Sequence, residues 1–194
     1  KEMHIIMADI PVYLVAGFLD AGKTNFINGI LEDGFARQDP TLLLCCEEGE
    51  EEYEKNALDN VTVITIEDEE DLKCSYLKEL EKEYHPKQVL IEYNGMWQLK
   101  TLYGQHAGKL GGLPGIHVRG CDEFLTYNAN MRGLVVDKLS GCELVVFNRF
   151  TKDMDKMAFH KIVRGISRRP DIAYEYTNGD VEYDEIEDPL PFDI

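Results

Sequence analysis

IPVYLVAGFLDAGKT, residues 10–24, decides how the rest of the chain is read. Its first part, Ile10 to Ala16, is apolar almost without interruption, the pattern of a strand buried on both faces of a parallel sheet. Its second part, Gly17 to Thr24, fits G-x-x-x-x-G-K-[ST] without a gap. Each fixed position answers a physical need. Gly17 and Gly22 let the backbone curl tightly, so that successive N–H groups, those of Asp20 and Ala21 among them, point inward at an anion. Lys23 brings a cation to the β- and γ-phosphates of a nucleoside triphosphate, and the Thr24 hydroxyl ligates Mg²⁺. Lys23 to Leu31 then reads as a helix with Phe26, Ile27, Ile30 and Leu31 on one face. Its N-terminal dipole, at Lys23, Thr24 and Asn25, is aimed at the same phosphates. Asp20 is the odd member of the loop. Its carboxylate either faces the phosphates, where Mg²⁺ or a basic neighbour must offset the repulsion, or turns outward to cap the helix.

Outward from this stretch, short β-rich runs alternate with amphipathic ones. Thr41–Cys46, Val61–Ile66, Gln88–Glu92, Gly115–Val118, Glu143–Phe147 and Ile172–Thr177 read as strands. Glu69–Tyr84, Asp122–Leu139 and Asp153–Arg168 read as helices, the first ended by Pro86. Strands alternating with helices predict right-handed crossovers, and hence a three-layer α/β/α fold with a mostly parallel central sheet over residues 1–177. From Asn178 the character changes. Residues 178–194 are rich in Asp and Glu with no basic residue, and are expected to form a mobile acidic tail or a linker to a further domain.

Composition removes several classes of function. The net charge of −17 argues against a nucleic-acid backbone as partner, since no basic patch offsets the repulsion. No apolar run approaches the roughly 18 residues that cross a membrane, and Asp9 and Pro11 interrupt anything resembling a signal sequence. The five cysteines are odd in number and scattered, which fits a reducing, cytoplasmic compartment better than a disulfide framework. The five histidines show no ligand spacing.

Val89-Leu90-Ile91-Glu92 is an apolar run ending in a carboxylate, the arrangement that supplies a second protein contact to Mg²⁺ beside Thr24. Tyr93-Asn94-Gly95 extends it to E-x-x-G, whose Gly95 N–H can reach a γ-phosphate. The acidic run Glu47–Glu52 reads mostly as a solvated loop, and the adjacent Cys45 and Cys46, which a strand points to opposite faces, as small core residues.

These pieces together resemble the CobW-like P-loop GTPases, whose cousins include HypB and UreG. The resemblance rests on IPVYLVAGFLDAGKT, on CCEEGEEEY at 45–53, on IEYNG at 91–95 and on FLTYNANMRGLVVDKLSGCELVVFNR at 124–149. It implies that the acidic stretch is a first switch near the metal, with Glu48 or Glu50 positioning water or coupling hydrolysis to a partner. It implies that E-x-x-G is the Walker B and second-switch element, and that Asn148 and Arg149 stand where N-K-x-D reads the base. This chain departs from the family pattern at Asp20 and Asn25, where glycine and threonine are usual, and lacks the family's C-x-C-C metal motif. Thr151 stands where the guanine-pairing aspartate is expected.

The expectation is therefore a Mg²⁺-dependent GTPase, slow without a partner, with Lys23 and Glu92 as its principal catalytic side chains and a client metalloprotein implied by the resemblance. ATP stays open as the nucleotide. A nucleotide-dependent interaction module with little catalysis is the alternative of another class, and a P-loop kinase with Arg164, Arg168 and Arg169 as its lid is a third.

Overall fold

Strands with buried residues on both faces, at Val12–Ala16, Thr41–Cys45 and Gln88–Glu92, build the middle of the molecule. The computed structural model describes residues 10–47, 52–53, 59–105 and 115–186. In chain order the elements are β1 (Val12–Ala16), α1 (Lys23–Glu32), β2 (Thr41–Cys45), β3 (Val61–Thr65), α2 (Cys74–Tyr84), β4 (Gln88–Glu92), α3 (Leu99–Gln105), β5 (Gly115–Gly120), α4 (Cys121–Asn130), α5 (Arg132–Leu139), β6 (Leu144–Phe150), α6 (Lys156–Arg164), β7 (Asp171–Tyr176) and β8 (Val181–Tyr183). They form one eight-stranded sheet in the order β3-β2-β4-β1-β5-β6-β7-β8. Every pairing is parallel except β7 with β8. The three-layer α/β architecture expected from the alternating pattern is the one found.

Alternation along each central strand sends its residues to two cores. Val15, Leu43, Leu90 and Val118 pack with Ile27 and Leu31 of α1. Leu14, Leu42, Leu44, Val89 and Ile91 pack with Leu77 and Leu80 of α2 and with Leu99 and Leu102 of α3. Leu14, Leu43, Leu44, Leu90 and Ile91 are wholly buried, each contributing about 1.5–3 kcal/mol to folding relative to exposure. Val145, Phe147, Ile172 and Tyr174 of β6 and β7 meet α4, α5 and α6 through an aromatic cluster centred on Phe124, Phe147 and Phe159.

Several boundaries differ from the sequence reading, each for a local reason. The helix expected over 122–139 is broken at Met131 (φ −130°, ψ 39°), where Asn130 turns its amide onto the Thr126 carbonyl and Asn128 accepts from Arg132. The helix expected from Glu69 starts only at Cys74, after a single 3₁₀ turn over Glu69–Asp71 that lets Leu72 reach the core. The last helix begins later than expected because Asp155, not Asp153, caps it by accepting from Met157 N. Helix α3 has no counterpart in the sequence reading. Its first N–H, on Leu99, is satisfied by Asp137 of α5, a distant partner that no local pattern announces.

The acidic segment after Thr177 also needs correction. Asn178-Gly179, with Gly179 at φ +89°, turns the chain back, and β8 pairs antiparallel with β7. Asp184 then meets His160 in a buried contact of 2.8 Å. The part of the expected tail up to Ile186 is thus built onto the sheet; residues 187–194 lie outside the described residues.

Candidate functional site

The loop between β1 and α1 is held in a shape that only small residues permit. A Cβ on Gly17 would lie 2.3 Å from the Val118 carbonyl oxygen, and one on Gly22 would lie 2.1 Å from Asn148 Nδ2. Gly22 has φ +88° and Asp20 φ +58°, two left-handed residues that turn the loop around its own centre. Gly22 is the N-cap of α1 and no side chain caps the helix, so its first N–H groups stay available to an anion. Asp20 is exposed and does not serve as that cap. Its backbone carbonyl accepts from the Arg149 guanidinium at 2.9 Å.

Lys23 is 3 % exposed and its ammonium is fully engaged. It donates to the carbonyls of Gly17 (3.1 Å) and Phe18 (2.9 Å) and pairs with the Glu47 carboxylate. Thr24 Oγ1 donates to Glu92 Oε1 at 2.8 Å, across 68 residues of sequence. The β1–β4 register, which sets Val15 beside Glu92, is what brings the two together. The other Glu92 oxygen accepts from the Tyr53 hydroxyl and, more weakly, from Cys45 Sγ at 3.8 Å. Burial first, then the neighbouring Glu92 charge, raises the Tyr53 hydroxyl pKa, so Tyr53 remains a donor to that carboxylate. Thr24 and Glu92 present adjacent hard oxygens at the mouth of the loop, a donor set suited to Mg²⁺. With the curled backbone and Lys23, the residues present fit a Mg²⁺–nucleotide.

Gly95 sits against the loop from the other side. A Cβ there would lie 2.6 Å from Gly17 O and 2.7 Å from Phe18 Cα. Its N–H donates to Glu47 Oε1 at 3.2 Å. At the end of β6, Asn148 donates to the Ala21 carbonyl at 2.6 Å, while its buried Oδ1 has no hydrogen-bond partner among the described residues. Arg149 follows with φ +56°, at the irregularity between Phe147 and Phe150 in the β6–β7 register. The ends of β6 and β7 open onto a cleft of about 600 Å³ lined by Thr151, Lys152, Thr177, Asn178 and Asp180.

The structure thus brings Gly17, Ala21, Gly22, Lys23, Thr24, Glu92, Gly95 and Asn148 to one edge of the sheet. Asn25 is exposed on α1 and is not one of this group. Glu48 and Glu50 lie outside the described residues. Glu47, read from sequence as part of a solvated acidic loop, is largely buried and paired instead. Cys46 is in the core as expected, but Cys45 faces Glu92, and burial raises its thiol pKa. Among the described residues, no group of three or more His, Cys, Asp or Glu side chains is placed to hold a metal ion by itself.

Sequence reasoning did not single out what supports the loop from below. The Phe18 ring stacks on Tyr127 of α4 with centroids 3.9 Å apart, and the Arg119 guanidinium lies 4.9 Å over its centroid. Arg119 is 1 % exposed, its guanidinium nitrogens lack hydrogen-bond partners among the described residues, and burial lowers its pKa to about 10. Lys138, wholly buried, donates to the Trp97 carbonyl at 2.6 Å and lies 5.2 Å from the Tyr93 ring centroid. Burial lowers its pKa to about 8. The only sequence signal for either residue is a basic side chain inside an otherwise apolar pattern.

A phosphate-binding loop after the first strand of a parallel sheet, with an acidic strand end beside it, defines the P-loop nucleoside-triphosphatase fold. Solved structures that share it include the hydrogenase maturation factor HypB from Archaeoglobus fulgidus, at 13 % identity and a TM-score of 0.55, matched over 86 % of this chain and 82 % of HypB. A LAO/AO transport system kinase matches at 13 % identity and a TM-score of 0.51, over 84 % of this chain and 48 % of that longer one. A plasmid partition protein from Borrelia burgdorferi, solved with AMPPNP, matches at 10 % identity and a TM-score of 0.50, over 85 % of this chain and 84 % of that one. No family model matches the sequence, and no curated protein does. No helix among the described residues is long and apolar enough to cross a membrane.

Proposed function

We propose that this chain binds a Mg²⁺–nucleoside triphosphate at the β1–α1 loop and hydrolyses it slowly, as a divergent CobW-like GTPase acting in metal or cofactor handling. One observation carries the reading: Glu92, 68 residues from Thr24, meets it beside Lys23 and the curled loop. In such a site Lys23 stabilises charge on the transferred phosphoryl group, and the loop N–H groups and the α1 dipole orient the phosphates. Thr24 and Glu92 would hold Mg²⁺, which when bound neutralises charge developing between the β- and γ-phosphates. Asn148, tied to the Ala21 carbonyl, fixes the distance between base and phosphate regions and keeps Oδ1 for a hydrogen bond. GTP is preferred because Asn148 and Arg149 stand where CobW-like GTPases carry N-K-x-D, while Thr151 in place of an acidic residue keeps ATP as the competing ligand. A client metalloprotein and a cytoplasmic setting belong to this reading.

The test is calorimetric titration of GTP against ATP in the presence of Mg²⁺, for the wild type and for Lys23→Ala. The expected result is binding of at least one nucleotide by the wild type, weakened roughly 100-fold in the variant, about 2.7 kcal/mol. A wild type that binds neither sinks the proposal. Engagement of both Glu92 oxygens, by Thr24 and Tyr53, favours as second reading an interaction module that binds nucleotide with little turnover. Single-turnover hydrolysis separates the two, since a module shows no difference between wild type and Lys23→Ala.

A further inference from the structure

Glu47 is the second residue past the end of β2, and its carboxylate spans two groups that belong to the phosphate cradle. One oxygen pairs with Lys23 Nζ and the other accepts from Gly95 N at 3.2 Å. Its side chain is only 10 % exposed and that of Lys23 only 3 %, so this is an enclosed contact and not a solvated surface pair. The backbone there is fastened too: the Glu47 carbonyl accepts from Cys45 Sγ at 3.1 Å, and the preceding Cys46 carbonyl accepts from the Asn94 amide at 3.2 Å.

A lysine ammonium on one side and a glycine N–H on the other are the donors a P-loop protein offers to the terminal phosphoryl group of a triphosphate. A carboxylate, with two anionic oxygens on one carbon, satisfies both donors as two phosphoryl oxygens do. We propose that Glu47 is an internal stand-in for the terminal phosphoryl group and thereby sets the preference between nucleoside di- and triphosphate. A diphosphate fits into the loop with Glu47 in place. A triphosphate requires the carboxylate to leave, because two anions cannot share the same ammonium and the same N–H. A pocket of about 260 Å³ beside Glu47, lined by Cys46, Thr65, Ile66, Glu67 and Asn94, offers polar room for it.

The Glu52 carbonyl accepts from Asn28 of α1, and Tyr53 donates to Glu92, so these two residues are tied to the same site. The terminal phosphate thus competes directly with the Glu47 carboxylate for Lys23 and Gly95.

This inference rests on nucleotide binding at the loop, and its test separates the two. Affinities are measured by calorimetry with Mg²⁺ for GDP, ADP and their non-hydrolysable triphosphate analogues, using wild type, Glu47→Ala and Glu47→Gln. The wild type should favour diphosphate, and Glu47→Ala should raise triphosphate affinity relative to diphosphate at least tenfold. Glu47→Gln keeps the size and the contact to Gly95 but loses the charge, and should fall between; it is read alone if thermal melting shows the alanine variant unfolded. Nucleotide binding with a ratio unchanged within threefold in the folded variants overturns the role of Glu47 and leaves the binding site standing. No binding to any of the proteins overturns both.

Discussion

The β1–α1 loop and the end of β6, proposed above as the phosphate end and the base end of one site, are built to different standards. At the phosphate end the polar side chains have partners. Lys23 has three, Thr24 and Tyr53 share Glu92, and Gly95 is in backbone contact with the loop. At the base end Asn148 is anchored, but the chain leaves the sheet register at once and borders an open cleft. Phosphate recognition rests on backbone curvature and a few fixed side chains, which tolerate little change. Base recognition rests on loop side chains whose replacement alters discrimination without unmaking the fold. A chain can therefore keep one end intact while the other diverges.

Three substitutions press on that contrast. Gly95→Ala should have the largest effect, since its Cβ meets backbone atoms of Gly17 and Phe18 under 3 Å away. Neither can swing aside, and a loss of roughly 3 kcal/mol is expected from urea unfolding. A loss under about 0.5 kcal/mol would show the phosphate end to be looser than described.

Lys138, which donates to the Trp97 carbonyl, comes next. Its pKa in the fold is about 8, lowered first by burial, against about 10.4 when unfolded. Between those values the unfolded state binds more protons. Stability from this group is thus unfavourable below pH 8 and recovers as pH rises toward 10. Lys138→Met removes that dependence. Its stability relative to wild type should fall by roughly 2–3 kcal/mol between pH 7 and pH 10, read from urea midpoints at the two pH values. A difference that does not change with pH would mean the buried ammonium carries no such penalty.

Asn148→Ala should be the mildest. It leaves the Ala21 carbonyl without its 2.6 Å donor, at a cost of about 1–2 kcal/mol. If it proves more destabilising than Gly95→Ala, the ranking of the two ends is reversed.

The same contrast explains what was legible in the sequence. The β1–loop–α1 unit could be read because buried strand, glycine spacing and amphipathic helix are all local patterns. Glu92 and Gly95 were equally accessible because they end a recognisable strand. Glu47 was visible only as one glutamate among several, since its importance comes from the β2–β4 pairing that places it over Lys23. Helix α3 escaped because its cap is Asp137, and the β7–β8 hairpin because acidic composition outweighed the Asn178-Gly179 turn. Arg119 and Lys138 become notable only when burial is known, and burial is a property of the assembled layers.

The position of β1 has a consequence for how the protein is made. Its hydrogen-bonded neighbours are β4 and β5, which emerge long after it, so this part of the sheet has high contact order and pays its loop closures before it gains its contacts. A nascent chain that ends before Glu92 carries the whole Gly17–Thr24 motif and still lacks the carboxylate that accepts from Thr24. The site is therefore completed by the arrival of β4, and nucleotide that binds it can stabilise only chains in which that docking has already occurred.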